Sequence, residues 1–270
     1  MITQEARIYY IGTATALLEI GGLRLLTDPA FDPAGTTYTT PVYTLHKLKA
    51  PKVDVKKIGH IDHVLLSHDH HLDNLDRAGM QLLTEVGSVI TTPAGAQRLN
   101  NQGTRPGDLP YPKGIQAIGL ENWTTLEIPT KDGRILTITG TPCRHGPQGS
   151  DRGPVTGFVL NFKGETQNGI YITGDTVYYQ GVEEVARRFD IGLILLFIGA
   201  AQIAAVGPAH LTMTVEESIR AARLFDHAII TPLHFEGWEH FSQGYDEIIH
   251  QYTAAGLLNR LHWAPPYPVI

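Results

Sequence analysis

The stretch Ile61 to Asp76, IDHVLLSHDHHLDNLD, constrains this chain more than any other. Its apolar run Val64-Leu65-Leu66 reads as a buried strand, and directly after Ser67 come His68, His70, His71 and Asp73. A histidine-rich turn can be no more than a polar loop, but a cluster of imidazoles at a strand end is costly to desolvate without something to bind. Extended backbone places residues two apart on one face, so His68 and His70 are expected to aim at one point beyond the strand. Asp73 is expected to sit where a helix begins and to face that point from the other side. Histidine and aspartate are ordinary ligands of zinc and manganese, so the stretch predicts a metal site.

The rest of the composition narrows the class. With 42% hydrophobic and 18% charged residues, the 270-residue chain can bury a substantial core. No linker or charge block divides it, so one domain over 1–270 is expected. A net charge of -6 without a Lys/Arg cluster argues against a nucleic-acid partner. Cys143 is the sole cysteine, which excludes an intrachain disulfide and a cysteine-rich zinc site. The start, MITQEARIYY, lacks the features of a signal peptide, and a cytoplasmic location is the default expectation. Ile191 to Ala209 is long and apolar enough to imitate a membrane span. Its Gly192, Gly199, Gln202, Gly207 and Pro208 fit a buried strand running into a loop better.

Taken in order, residues 6 to 27 predict three short strands, the last two joined by the hairpin signal Gly21-Gly22. Asp28 closes the third, placed either to cap a turn or to orient a ligand histidine. Residues 29 to 60 predict a polar loop that could roof a site. Leu75, Ala78, Leu82, Leu83 and Val86 share a helical face, and Ser88 to Thr92 is a strand with Pro93 opening the next helix. Strands are expected around 115–118, 123–128, 134–141, 155–162, 169–173, 193–198, 228–231 and 260–263. Helices are expected near 182–189, after the Thr214/Glu217 capping box, and over 245–255. Strands in two blocks followed by alternating helix and strand fit two packed sheets with helices outside.

Four strand ends carry metal-type side chains: His68 with His70 and Asp73, then His145, then Asp175, then His234. This order and context resemble the metallo-β-lactamase superfamily over nearly the whole chain. YITGDT at Tyr171–Thr176, FIGA at Phe197–Ala200 and HLTMTVEES at His210–Ser218 look closest to the branch of ascorbate 6-phosphate lactonases and N-acyl phosphatidylethanolamine phospholipase D enzymes. The resemblance implies an α/β fold, an αββα sandwich of two mixed sheets with helices on the outer faces. It implies that His68, His70 and His145 hold one metal, Asp73 and His234 a second, and that Asp175 bridges them. One departure stands out: the usual H-x-H-x-D-H is one residue longer here and ends in Asn74. Either Asp73 keeps its role and Asn74 leaves the second metal a ligand short, or His71 takes over.

Two divalent ions, zinc with manganese as the alternative, are thus expected, the second held more weakly. Such ions lower the pKa of bound water toward about 7 and polarise a scissile bond. The expected activity is metal-dependent hydrolysis, by a metal-bound hydroxide, of an ester-like bond, lactone or phosphodiester, in a small-molecule substrate. Asp73 would orient or deprotonate the water. His210 is the candidate for substrate contact or leaving-group protonation, with a surface role the alternative. Competing readings are a metal-dependent nuclease, a non-catalytic metal-binding member of the fold and a di-iron redox protein. His46, His60, His63, His227, His240, His250 and His262 read as packing or surface residues, Cys143 as a small buried thiol. The loops 29–60, 101–114 and 146–154 are expected to line the pocket. Arg144 and Arg152 are plausible phosphate contacts that carry no weight from sequence alone, and a homo-oligomer is left open.

Overall fold

Two six-stranded sheets face each other across a core built from both inner faces, Leu18, Leu25, Leu65 and Ile90 on one side and Leu136, Phe158, Leu195 and Leu233 on the other. The computed structural model describes residues 1–104, 110–149 and 151–268. After a short helix α1 (Ile2–Glu5) come β1 (Arg7–Gly12), β2 (Thr15–Ile20) and β3 (Leu23–Thr27), and then a small hairpin of β4 (Thr37–Thr39) and β5 (Thr44–His46). β6 (His63–Leu65), α2 (Arg77–Leu82), β7 (Ser88–Thr91), α3 (Pro93–Asn100) and β8 (Ala117–Gly119) complete the first half. The second half runs through β9 (Thr125–Pro129), β10 (Ile135–Pro142), β11 (Thr156–Phe162), β12 (Gly169–Ile172), α4 (Gln180–Arg188), β13 (Ile191–Phe197), α5 (Val215–Leu224), β14 (Ile229–Leu233) and α6 (Tyr245–Ala254).

The first sheet has the order β1-β2-β3-β6-β7-β8, the second β14-β13-β12-β11-β10-β9. Each outer face carries its own apolar layer. Val182, Val185, Ile219, Ala222, Ile248 and Tyr252 of α4, α5 and α6 cover the second sheet, and Met80, Leu82 and Leu99 of α2 and α3 cover the first. This is the αββα sandwich expected. Ile191–Phe197 is a strand of the second sheet, and among the described residues no helix is long and apolar enough to cross a membrane.

The strand directions place the site. β10 and β12 are both antiparallel to β11, while β12, β13 and β14 are mutually parallel. The C-terminal ends of β10, β12 and β14 therefore lie at one edge, where His145, Asp175 and His234 follow. Gly174 makes the turn there with φ +61, and a Cβ on it would lie 2.9 Å from Thr156 O and 3.0 Å from Ser67 Cβ. The glycine therefore lets the β12 turn approach the β6 turn, bringing the two sheets' loops together.

Three local expectations differ from the structure. The helix after the histidine cluster begins only at Arg77, because the Asp76 carboxylate caps it by accepting from Gly79 N at 2.8 Å; Asp73 lies in the turn before it. Residues 29–60 contain the β4/β5 hairpin, in which Tyr38 and Leu45 pack on Trp238. The strand expected at 260–263 is reduced to a bridge between Ile230 and Leu261, since a 3-10 turn at Leu258–Arg260 leaves no length for more.

The roof is tied down by a buried ion pair. Lys47, just after β5, donates from Nζ to Asp76 Oδ2 at 2.8 Å and to Ala30 O at 2.9 Å, and both side chains of the pair are fully buried. Its ammonium also stands 5.3 Å from the Trp238 ring centroid. Removing one partner of such a pair strands a buried charge. Lys47→Ala is therefore expected to lower the unfolding free energy by about 3–5 kcal/mol, measured by urea denaturation. A loss below about 1 kcal/mol, the range of an exposed pair, would show that this contact does not hold the roof.

Candidate metal centre

The turn that follows β6 is not extended, since the strand ends at Leu65, three residues before His68. The alternation rule therefore does not govern the cluster, and the turn sets His71 beside His68 in place of His70. His71 Nδ1 lies 3.0 Å from His68 Nε2 and 3.1 Å from His145 Nε2. The His70 ring is adjacent, but its Nε2 is hydrogen-bonded to Arg152 O at 2.7 Å. His68, His71 and His145 form one group that could hold an ion, and Asp73, Asp175 and His234 a second.

The far sides of the rings fix which nitrogens face inward. Ser67 Oγ donates to Asp28 Oδ1 at 2.9 Å, so it accepts from His68 Nδ1, also at 2.9 Å. The Asp28 carboxylate takes Ser67 N as well, at 2.8 Å, and so reaches His68 through that serine. His145 Nδ1 donates to Leu211 O at 2.8 Å. Both Nε2 atoms consequently turn lone pairs toward His71 Nδ1, which can supply one proton at most. Burial and the neighbouring imidazoles hold His68 and His71 well below the usual histidine range, and burial lowers His145 against the pull of Asp175. Three neutral imidazoles sharing one point suit a cation.

Asp175 faces both groups. Its Oδ2 lies 3.9 Å from His68 Nε2 and 3.7 Å from His145 Nε2, while Oδ1 lies 2.8 Å from His234 Nδ1. Ligands around a tetrahedral zinc at normal bond lengths stand about 3.3 Å apart; the first group's nitrogen separations of 3.0 and 3.1 Å lie just below that value and its distances of 3.7 and 3.9 Å to Asp175 just above it. In the second group His234 Nε2 is 3.4 Å from Asp73 Oδ2. Both nitrogens of His234 thus stand beside carboxylate oxygens, though neither meets hydrogen-bond geometry within the protein. The donor set fits a metal in both groups. His234 also occupies left-handed backbone at φ 56, strain of the kind that collects at functional sites.

Electrostatics separate the two groups. Burial alone would lower His234, but Asp175 and Asp73 outweigh it and push the imidazole up to about 10. Burial would raise Asp73, but His234 and His240 outweigh it and hold the carboxyl well below its usual range. Asn74 is buried beside Asp175, its Nδ2 3.5 Å from Oδ1 and its own Oδ1 without a partner. The extra residue of the motif thus falls between His68 and His71, and His71-Leu72-Asp73-Asn74 occupies the place of H-x-D-H.

A cavity of about 240 Å³ opens over both groups, lined by His71, Asp73, His145 and His240 and walled by Val42, Tyr43, Leu45, Arg152, Ala201, Ile203, Val206 and Leu211. The loops 29–60 and 146–154 contribute as expected. No described residue of 101–114 does, with 105–109 outside the described residues. Ala201, Ile203, Val206, Leu211 and His240 line the cavity without having been anticipated as site residues. His240 Nε2 meets Asp73 Oδ2 at 3.0 Å; its only sequence signal is its place in the loop after His234. His210 lies with Nδ1 3.3 Å from Ala200 O and is not among the cavity's lining residues. Cys143 Sγ donates to Thr173 O at 3.1 Å, and burial raises its thiol.

The sequence matches the β-lactamase superfamily domain over residues 23–235, and the chain belongs to that superfamily. It is 23% identical to a metal-dependent hydrolase of Nanoarchaeum equitans, over 68% of this chain and 74% of the relative. It is 26% identical to N-acyl-phosphatidylethanolamine-hydrolyzing phospholipase D 1 of Caenorhabditis elegans, over 68% of this chain and 52% of that longer protein. Among solved structures, the isothiocyanate hydrolase from Delia radicum gut bacteria superposes with a TM-score of 0.76 at 22% identity, covering 95% of each chain. A possible metal-dependent hydrolase of Veillonella parvula gives 0.78 at 18% identity over 98% of each. With this kinship and these donor groups, the protein is a metal-dependent hydrolase.

The two neighbouring histidines can be told apart directly. His71→Ala is expected to lose the ion of the first group on dialysis, and His70→Ala to retain it, as read by elemental analysis of the purified variants. The reverse ranking would place His70 in the ligand set.

Proposed function

We propose that the protein binds two divalent ions, one in each group, and hydrolyses a carboxylic ester-type bond, a lactone above all, in a small and largely apolar molecule. The cavity carries this reading: its walls are mostly aliphatic, no lysine lines it, and its 240 Å³ is below the roughly 300–1,000 Å³ of drug-sized sites. A phosphodiester would meet one guanidinium there, and a nucleic acid no basic surface to follow. Bound dications would supply an acidified water and polarise the scissile carbonyl. Asp73, held by His240 and open to the cavity, orients the attacking water and accepts its proton. Asp175 keeps the two groups in register, and the aliphatic walls exclude bulk water from the reacting bond.

The test is turnover of the zinc- or manganese-loaded protein on lactones, aryl esters, phosphodiesters and, given the fold relative that hydrolyses them, isothiocyanates. Lactone or ester hydrolysis is expected, with Asp73→Asn lowering kcat by about 10²-fold or more. Phosphodiester cleavage without ester cleavage would overturn the choice of bond.

Ion uptake should also differ between the groups. The first group's imidazoles are held neutral and have no proton to lose near pH 7. His234, pushed up to about 10, is protonated in the metal-free protein and must give up that proton to a bound ion. Affinity at the second group should therefore rise about tenfold per pH unit up to the region of pH 10 and fall with acid. Calorimetry in buffers of different ionisation heat should detect about one proton released by the second ion and none by the first. Release with the first ion alone would reverse the assignment.

A further inference from the structure

Arg152 is the one permanently charged cation among the residues lining the cavity. Its backbone is held from two sides, the N–H donating to His145 O at 2.9 Å and the carbonyl accepting from His70 Nε2 at 2.7 Å. Its side chain spans to the 201–211 segment, where Nη2 donates to Val206 O at 3.0 Å. That contact occupies one donor of five. Nε is buried and has no partner, and among the described residues no carboxylate pairs with this guanidinium.

Some other arginines among the described residues are engaged elsewhere. Arg98 is locked to Asp69 at 2.7 Å, Arg134 to Glu5 and Asp132, and Arg144 stacks over Tyr179 at 4.8 Å. A planar guanidinium against aliphatic walls, with donors in reserve and no counter-ion, leaves charge and hydrogen-bonding capacity for a ligand to satisfy. Its fork matches a carboxylate. A phosphate dianion would call for a second fixed cation, which the walls formed by Val42, Leu45, Ile203 and Leu211 do not supply.

We propose that Arg152 binds a carboxylate carried by the substrate, so that the preferred substrate is a small, mostly apolar monoanion whose scissile bond lies over the two metal-type groups. This rests on the hydrolase reading above for the bond that is cleaved, but not for the recognition of the anion. Arg152 thereby selects among substrates, while Asp73 acts on the bond.

Two measurements test it on the metal-loaded protein. The first compares kcat/KM for a lactone bearing a carboxylate with the same lactone capped as its primary amide. The preference for the acid is expected to drop about tenfold to a hundredfold in Arg152→Ala and Arg152→Gln, with Arg152→Lys falling between these and the wild type. An unchanged preference ratio would overturn the proposal. The second is calorimetric binding of phenylacetate, phenylacetamide and benzylphosphonate, none of which needs turnover. Phenylacetate should lose at least about tenfold in affinity in Arg152→Ala at equal metal content, which separates Arg152 from direct metal binding of the anion. Tighter and more Arg152-dependent binding of benzylphosphonate would replace the carboxylate with a phosphoryl group and overturn the proposal. If the wild type cleaves neither lactone while Arg152-dependent phenylacetate binding persists, the choice of bond falls and the anion site stands.

Discussion

Two inward lone pairs meeting at one imidazole nitrogen are the constraint on which the rest of this structure turns. Ser67 fixes the tautomer of His68, and Leu211 O fixes that of His145. His71 Nδ1 can donate to one of the two Nε2 atoms facing it, leaving the other lone pair buried against it. No arrangement of protons on neutral rings satisfies all three, whereas one cation at their shared point does. The β-sandwich brings the loops that follow β10 and β6 to that point, and Gly174 lets the β12 turn approach Ser67 in the turn after β6. The buried Asp28 then fixes Ser67, and through it the histidine that starts the cluster.

The roof extends the same logic outward. Lys47 and Asp76 tie the segment after β5 to the cap of α2, and Asp76 Oδ2 also accepts from Asp32 N at 2.6 Å. The hairpin that brings Tyr43 and Leu45 over the cavity is thus anchored to the helix that follows the histidine turn. Asp69, buried between His68 and His70, is likewise spent on structure: it takes Arg98 Nε at 2.7 Å and Tyr111 Oη at 2.9 Å. Burial would raise this carboxyl, but Arg98 foremost holds it well below the usual range. It remains an anion that pins the turn to α3 and does not join the metal groups.

The framework was legible because its signals are local. Gly21-Gly22, the Thr214/Glu217 capping box and Pro93 at a helix start each specify an element through two or three neighbouring residues. The strand-end positions of His145, Asp175 and His234 followed from the same signals, because an apolar run ending in a polar residue marks where a strand stops. What failed was the assumption that extended backbone continues to His70, since nothing local in SHDHH states where β6 ends. His240 and the lining residues Ala201, Ile203, Val206 and Leu211 were hidden for a different reason. Their place over the site depends on the packing of loops distant in sequence, such as Lys47 against Trp238, which no periodicity encodes.

The departure at Asn74 takes its meaning from that packing. Where the superfamily motif has a fourth side chain with an imidazole, this chain offers an amide lying against Asp175. An imidazole does arrive beside the second group, but as His240, from the loop after β14, and it meets Asp73 rather than Asp175. A hydrogen bond to a carboxylate ligand fixes its orientation and draws charge from it. The second group therefore combines two carboxylates, one restrained by His240, with a single histidine whose pKa Asp175 and Asp73 raise against its burial. The first combines three neutral imidazoles with one shared carboxylate oxygen. The first donor set is the softer of the two and the second the harder. The asymmetry is thus set by which nitrogen the fold delivers to which oxygen, beyond the count of histidines in the motif.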